Sequence, residues 1–135
     1  MRIYFDENFP RDFISGLKSI QNNRQAEGIE VRSIVEDFRR GVPDEEWIPV
    51  IAKENGAVVT MDREIYRKRA QRGLCKEVGV GVFFVKQPKK NGLCYWEIVQ
   101  IIIHCWRDIC KKAKSTRQPF FYIIYYNTKN IRPLD

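Results

Sequence analysis

Asp6, Asp62 and the acidic triplet Asp44-Glu45-Glu46 are the side chains whose type and spacing could do chemistry. Asp6 and Glu7 close a short β-rich run, RIYF at 2–5, while Asp62 closes an unbroken apolar run, AVVTM at 57–61, with Glu64 two residues on. The triplet follows a break at Gly41-Val42-Pro43. Each position also suits a helix N-terminus, where a carboxylate caps amides and complements the helix dipole. Taken together, they place acids after three successive strands. If Asp6 and Asp62 stand on neighbouring strands, each charge disfavours ionisation of the other. A divalent cation relieves that repulsion, and oxygen donors without His or Cys select Mg²⁺ or Mn²⁺. Such ions serve phosphoryl chemistry.

The elements that must position these acids can be read along the chain. Strand 2–5 leads to a helix opened by Pro10 over about 10–20, with Phe13, Ile14, Leu17 and Ile20 at helical spacing. A loop at 21–28 precedes a strand at 29–35. Pro43 opens a helix running to about Asn55; Pro49 sits uncomfortably inside it, and Gly56 stops it. After strand 57–61 comes a basic helix, 63–72, stopped by Gly73. A strand at 80–85, a basic loop at 86–92, a long helix at 94–114 and a strand at 120–126 complete the pattern, with IRPLD as a short final arm. Alternating strands and helices predict a single domain over 1–135, a three-layer α/β/α sandwich on a mainly parallel five-stranded sheet. Ligands of such folds bind outside the carboxyl ends of the strands, the edge on which all three acidic sites fall.

The charge distribution fits phosphate chemistry. The net charge of +7 divides into −4 over residues 1–62 and +11 over residues 63–135. Arg63, Arg67, Lys68, Arg69 and Arg72 crowd the helix after Asp62, and Lys86, Lys89 and Lys90 follow the fourth strand. Beside an acidic metal site these cations form a clamp for a nucleic-acid backbone. Tyr66 is open to two readings, stacking on a base or burial. Trp47 and Tyr95-Trp96 are read as core or sheet-covering residues, with a partner surface as the other reading.

Absences narrow the field further. The one histidine, His104, lies in the apolar run IVQIIIHCW and reads as a core residue, so a two-histidine nuclease is excluded. No serine occupies a G-x-S-x-G elbow. Cys75, Cys94, Cys105 and Cys110 include no C-x-x-C pair, and Cys105 and Cys110, in an apolar helical pattern, read as small buried thiols of a reducing cytosol. No uncharged run approaches the roughly 20 apolar residues of a membrane span, and MRIYF opens as a strand rather than a secretory signal. The expectation is a soluble, cytoplasmic protein with no membrane partner.

IYFDENFP, GVPDEEWI and VVTMDREI, in that order and each at a strand end, resemble the PIN-like domain family, and within it the VapC-type toxins of prokaryotic toxin–antitoxin systems. The likeness covers residues 1 to about 90 and is loose beyond. It implies a Mg²⁺- or Mn²⁺-dependent endoribonuclease acting on single-stranded RNA by hydrolysis, without a protein nucleophile. Asp6 matches the family's first-strand aspartate and Asp62 the central one. Asp44 or Glu45 matches the helix-borne acid, and Glu64 stands at the fourth acidic position, where the family more often has aspartate. The same resemblance implies RNA and a cognate antitoxin as partners, and it is compatible with a homodimer. Two alternatives share parts of the pattern. One is a PIN-like module that binds RNA or protein without catalysis. The other is a phosphoacceptor receiver domain, which also carries acids after strands one and three.

Overall fold

The computed structural model describes residues 1–134. Four short strands, β1 (Arg2–Phe5), β2 (Glu30–Ser33), β3 (Ala57–Thr60) and β4 (Gly81–Lys86), are joined by β5 (Phe120–Tyr125) and β6 (Ile131–Pro133) in one sheet of order β2-β1-β3-β4-β5-β6. All neighbours run parallel except β6, which returns antiparallel to β5. The expected five-stranded sheet therefore has a sixth strand. The arm after NTKN turns back because Lys129 adopts φ 58°, its amide donates to Tyr125 O, and the Tyr125 amide donates to Asn130 O.

Strand alternation divides the core into two layers. Ile3, Phe5, Val31, Ala57, Val59, Phe83 and Val85 face α1 (Arg11–Asn22) and α6 (Tyr95–Ser115). Tyr4, Val58 and Val82 face the other way, toward α3 (Asp44–Lys53), α4 (Arg63–Arg67) and α5 (Arg69–Val78). A short helix, α2 (Ile34–Asp37), follows β2 directly, since the Ser33 hydroxyl accepts from the Glu36 amide and ends the strand before the expected residue 35. Pro49 lies well inside α3. It costs the bond to the carbonyl of exposed Glu45, which water can satisfy, while burial of Trp47, Ile48 and Ile51 holds the helix.

The basic segment is not the single helix expected over 63–72. Lys68 is extended (φ −81°, ψ 121°) and separates α4 from α5, which runs past Gly73 to Gly79. Ile65 in α4 and Cys75 in α5 are both buried against the same layer. Gly79, at φ 88°, supplies the left-handed cap that Gly73 was expected to provide.

Candidate active site

The chain moves from β1 outward to β2, then crosses back to β3 on the other side of β1. The gap between the carboxyl ends of β1 and β3 is thus the point where chain direction reverses, the usual crevice of a doubly wound sheet. Asp6 leaves β1 there, its amide still bonded to Val59 O at 3.3 Å. Its Oδ1 accepts from the Asn8 amide at 3.1 Å, and its Oδ2 accepts from the Met61 amide at 3.1 Å and from the Thr60 hydroxyl. Thr60 Oγ1 in turn accepts from the Asp62 amide at 2.9 Å. Asp62 caps α4, taking the Glu64 amide on Oδ1 at 2.9 Å. Asp44, the first residue of α3, takes the Trp47 indole N–H on Oδ1 at 3.1 Å.

Asp6, Asp44 and Asp62, with Glu7, Arg39 and Trp47, line one cleft of about 40 Å³, room for an ion or a water. Burial pushes the Asp6 carboxyl up to about 7, outweighing its hydrogen bonds to Thr60, Asn8 and Met61, and the Asp62 charge pushes the same way. Asp44 is also raised, first by burial and then by Asp62, with Glu45 and Glu64 adding while the Trp47 bond opposes. Asp6 and Asp44 resist carrying charge chiefly because they are buried, with the Asp62 charge adding to the effect, and a cation in the cleft would relieve both. The donor chemistry, carboxylate oxygen alone, fits a hard divalent ion. The side chains do not stand as a finished cage: among the described residues no three His, Cys, Asp or Glu groups are gathered closely enough to hold an ion. Asp44 and Asp62 each commit Oδ1 to a fixing bond, and Oδ2 of each has no protein donor among the described residues.

Glu45 is exposed on the outer side of the first turn of α3 and does not line the cleft. Glu64 is also outside the lining and pairs with Lys68 at 2.5 Å. The expected clamp is partly dispersed as well. Arg63 reaches Pro88 O at 3.3 Å, and Arg67, Arg69, Lys89 and Lys90 are exposed. Lys86 lies over the Tyr125 ring, 5.8 Å from its centre. Arg72, carried away by the break at Lys68, donates to Tyr66 O and lines an apolar cavity beside Phe120 and Phe121. Tyr66 is half-buried and stacks on Phe84, ring centres 4.8 Å apart, so it is not a free platform for a base.

His104 is exposed on α6, correcting its reading as core. The buried stripe of that helix runs through Ile98, Ile101, Ile102, Cys105, Trp106 and Ile109, and His104 falls off it. Cys94 is exposed as well, as the N-cap of α6, whereas Cys75 and Cys105 are buried. Trp47 is core, but Trp96 is 68% exposed and Tyr95 37%.

Three contributors escaped the sequence reading. Thr60 is wholly buried and links Asp6 to Asp62, and its signal was a lone hydroxyl ending an apolar strand, which must find partners. Trp47 orients Asp44 through its indole N–H. Arg39, on the cleft wall, is held by Glu46 through two hydrogen bonds and brings a cation to the acidic half of the chain.

A profile of the PIN like domain family matches residues 1–87, which hold β1 to β4 and every acid of the cleft. The chain belongs to the PIN-like domain family. No curated protein and no solved structure matches it. PIN domains are typically nucleases and usually employ divalent metal ions, so this PIN-like cleft has a chemistry that suits its residues. The receiver-domain alternative gives way to this membership. None of the helices described is long and apolar enough to cross a membrane.

Proposed function

We propose that this PIN-like chain is a Mg²⁺- or Mn²⁺-dependent endoribonuclease that cleaves single-stranded RNA, and that it is the toxin of a toxin–antitoxin pair. The observation that carries the nuclease reading is the meeting of Asp6, Asp44 and Asp62 in one cleft at the β1–β3 crevice, with Arg39 on its wall. Asp6, Asp44 and Asp62 are the residues that would hold the ion, with Glu45 and Glu64 lying further out. A divalent ion bound there supplies neutralisation of phosphate charge and activation of water. Thr60 and the Met61 amide fix the Asp6 carboxylate, and the Trp47 indole fixes Asp44. Arg39 on one side, with Arg63 and Lys89 toward β4, favours a polyanion along the same edge.

The deciding experiment is cleavage of single-stranded RNA with Mn²⁺ by the wild type and by Asp62→Asn. Cleavage by the wild type alone supports the reading, and equal cleavage by both overturns it. The toxin reading rests on the VapC-type likeness of the three motifs. It is tested by induced expression in bacteria: growth arrest that Asp62→Asn abolishes and the product of a neighbouring small reading frame relieves supports it. A second reading, an RNA-binding module without catalysis, draws on the incomplete gathering of the carboxylates. RNA binding without Mn²⁺-dependent cleavage would establish it.

A further inference from the structure

Trp96 is a large apolar ring left in water at the start of α6, on the carboxyl edge of the sheet. The protein has three tryptophans, and the other two, Trp47 and Trp106, are 2% and 8% exposed against 68% for Trp96. The exposed ring is braced. Tyr95 packs edge-on against it, ring centres 5.1 Å apart at 83°, and the Tyr95 hydroxyl donates to Asp12 Oδ2 at 3.3 Å. Asp12 lies on the first turn of α1, six residues beyond Asp6.

The place of this ring in the fold is informative. The segment from the end of β4 to the start of α6 runs along the carboxyl edge of the sheet, the edge that carries Asp6 and Asp62. Neighbouring strands lie about 4.8 Å apart, so β1 and β4, separated by β3, run about 10 Å apart, and β4 reaches three residues further along the edge. Arg63, next to Asp62, bonds to Pro88 O and ties the start of α4 to this segment. Gln87 Oε1 accepts from the Leu93 amide at 3.3 Å and closes the loop, which displays Lys89 and Lys90 to solvent. The carboxyl edge therefore carries the acidic cleft, Arg63, Lys89-Lys90 and the braced aromatic pair, the last tied to α1 through Asp12.

Cations that follow a phosphate backbone beside an aromatic face are the recurring parts of a single-strand binding surface. We propose that Trp96 is a stacking platform for an unpaired base of single-stranded RNA whose backbone passes Lys89 and Lys90 toward the cleft, with Tyr95 positioning the ring. This deepens the nuclease reading and rests on single-stranded RNA being what this edge binds. The charge pattern selects the occupant: a polyanion with exposed bases satisfies both the lysines and the indole.

The test uses the wild-type protein in EDTA, where binding is measured without cleavage. A short single-stranded oligoadenylate and inorganic polyphosphate serve as probes, the second offering charge without bases. The oligoadenylate is expected to protect the exposed tryptophan fluorescence from acrylamide, while polyphosphate leaves it quenchable. Trp96→Ala is expected to weaken oligoadenylate binding about tenfold, within the usual worth of a base–aromatic stack, and to leave polyphosphate binding unchanged. Trp96→Phe should recover most of the loss. Circular dichroism checks that the variants are folded. Equal oligoadenylate affinity of Trp96→Ala and wild type overturns the proposal. A matched loss for both probes overturns it too, since the effect is then not stacking. A lack of Mn²⁺-dependent cleavage with the Trp96 effect intact would sink the catalytic reading and leave the stacking platform standing.

Discussion

The hydroxyl of Thr60 donates to the carboxylate of Asp6, joining the end of β3 to the exit from β1. The same oxygen accepts from the Asp62 amide, so one buried side chain sets the spacing of two acids 56 residues apart in sequence. Thr60→Val keeps the shape and removes both bonds. It is expected to cost about 1–3 kcal/mol of stability, as buried groups left unpaired do. It should also lower Mn²⁺-dependent cleavage about 10–100-fold, the usual effect of losing a partner that orients a metal ligand. Thr60→Ser should retain most of both. Urea unfolding and a cleavage time course measure the two effects.

Asp6 makes stability depend on pH in the direction opposite to most aspartates. Folded, its carboxyl titrates near 7 because burial disfavours the charge, against 3.8 for an ordinary aspartate. The folded chain therefore holds this proton more tightly than the unfolded chain. The resulting contribution is fully present below about pH 4 and is lost as pH rises through about 7. Without divalent ions, the thermal midpoint of the wild type relative to Asp6→Asn is expected to fall between pH 5 and pH 8. A difference that stays constant over that range would show an ordinary carboxyl.

Asp44 and Glu45 separate by substitution. Asp44 lines the cleft and is held by Trp47, whereas Glu45 is exposed outside it. Asp44→Asn is expected to lower cleavage by at least tenfold and Glu45→Gln by less than about twofold, because Asp44 lines the cleft that would hold the ion and Glu45 does not. The reverse order would transfer the role to Glu45.

RNA affinity should fall steeply with salt, with a slope of about −0.7 per phosphate neutralised on a single strand. Replacing both Lys89 and Lys90 with Ala is expected to reduce that slope by about 1.4. Filter binding between low and physiological salt measures it, and an unchanged slope would take the loop out of the backbone path.

Gly81 offers a check on packing far from the chemistry. A Cβ there would stand 2.1 Å from the Phe120 ring, which packs edge-on against Phe83. Gly81→Ala is expected to cost about 1–3 kcal/mol through overpacking, read as a lower urea midpoint with cleavage unaffected.

The layers and the acidic edge were legible because they follow from local pattern. AVVT and GVFFV are unbroken apolar runs, as strands covered on both faces must be, and Asp6 and Asp62 each follow a strand directly. Arrangements set between elements were not legible. The run IVQIIIHCW is apolar almost all round, so only the docking of α6 decides that Ile102 is buried while Ile103 and His104 face water. The break at the extended Lys68, between α4 and α5, leaves no mark in the uniformly basic composition of 63–72. The choice of cleft acid rests on which residue of the first α3 turn meets the Trp47 indole, again a tertiary matter.

The sixth strand reaches beyond the fold itself. An open sheet exposes unpaired amides at its margins, which invite strands from other molecules. Here β6 covers β5 with three residues and places Pro133, which has no N–H, on that margin. At the opposite margin, β2 is four residues long and carries Glu30 and Arg32 in ion pairs with Arg2, Asp37 and each other. Both borders are thus poor templates for strand addition. Association of two copies by continuation of the sheet is therefore disfavoured at either border.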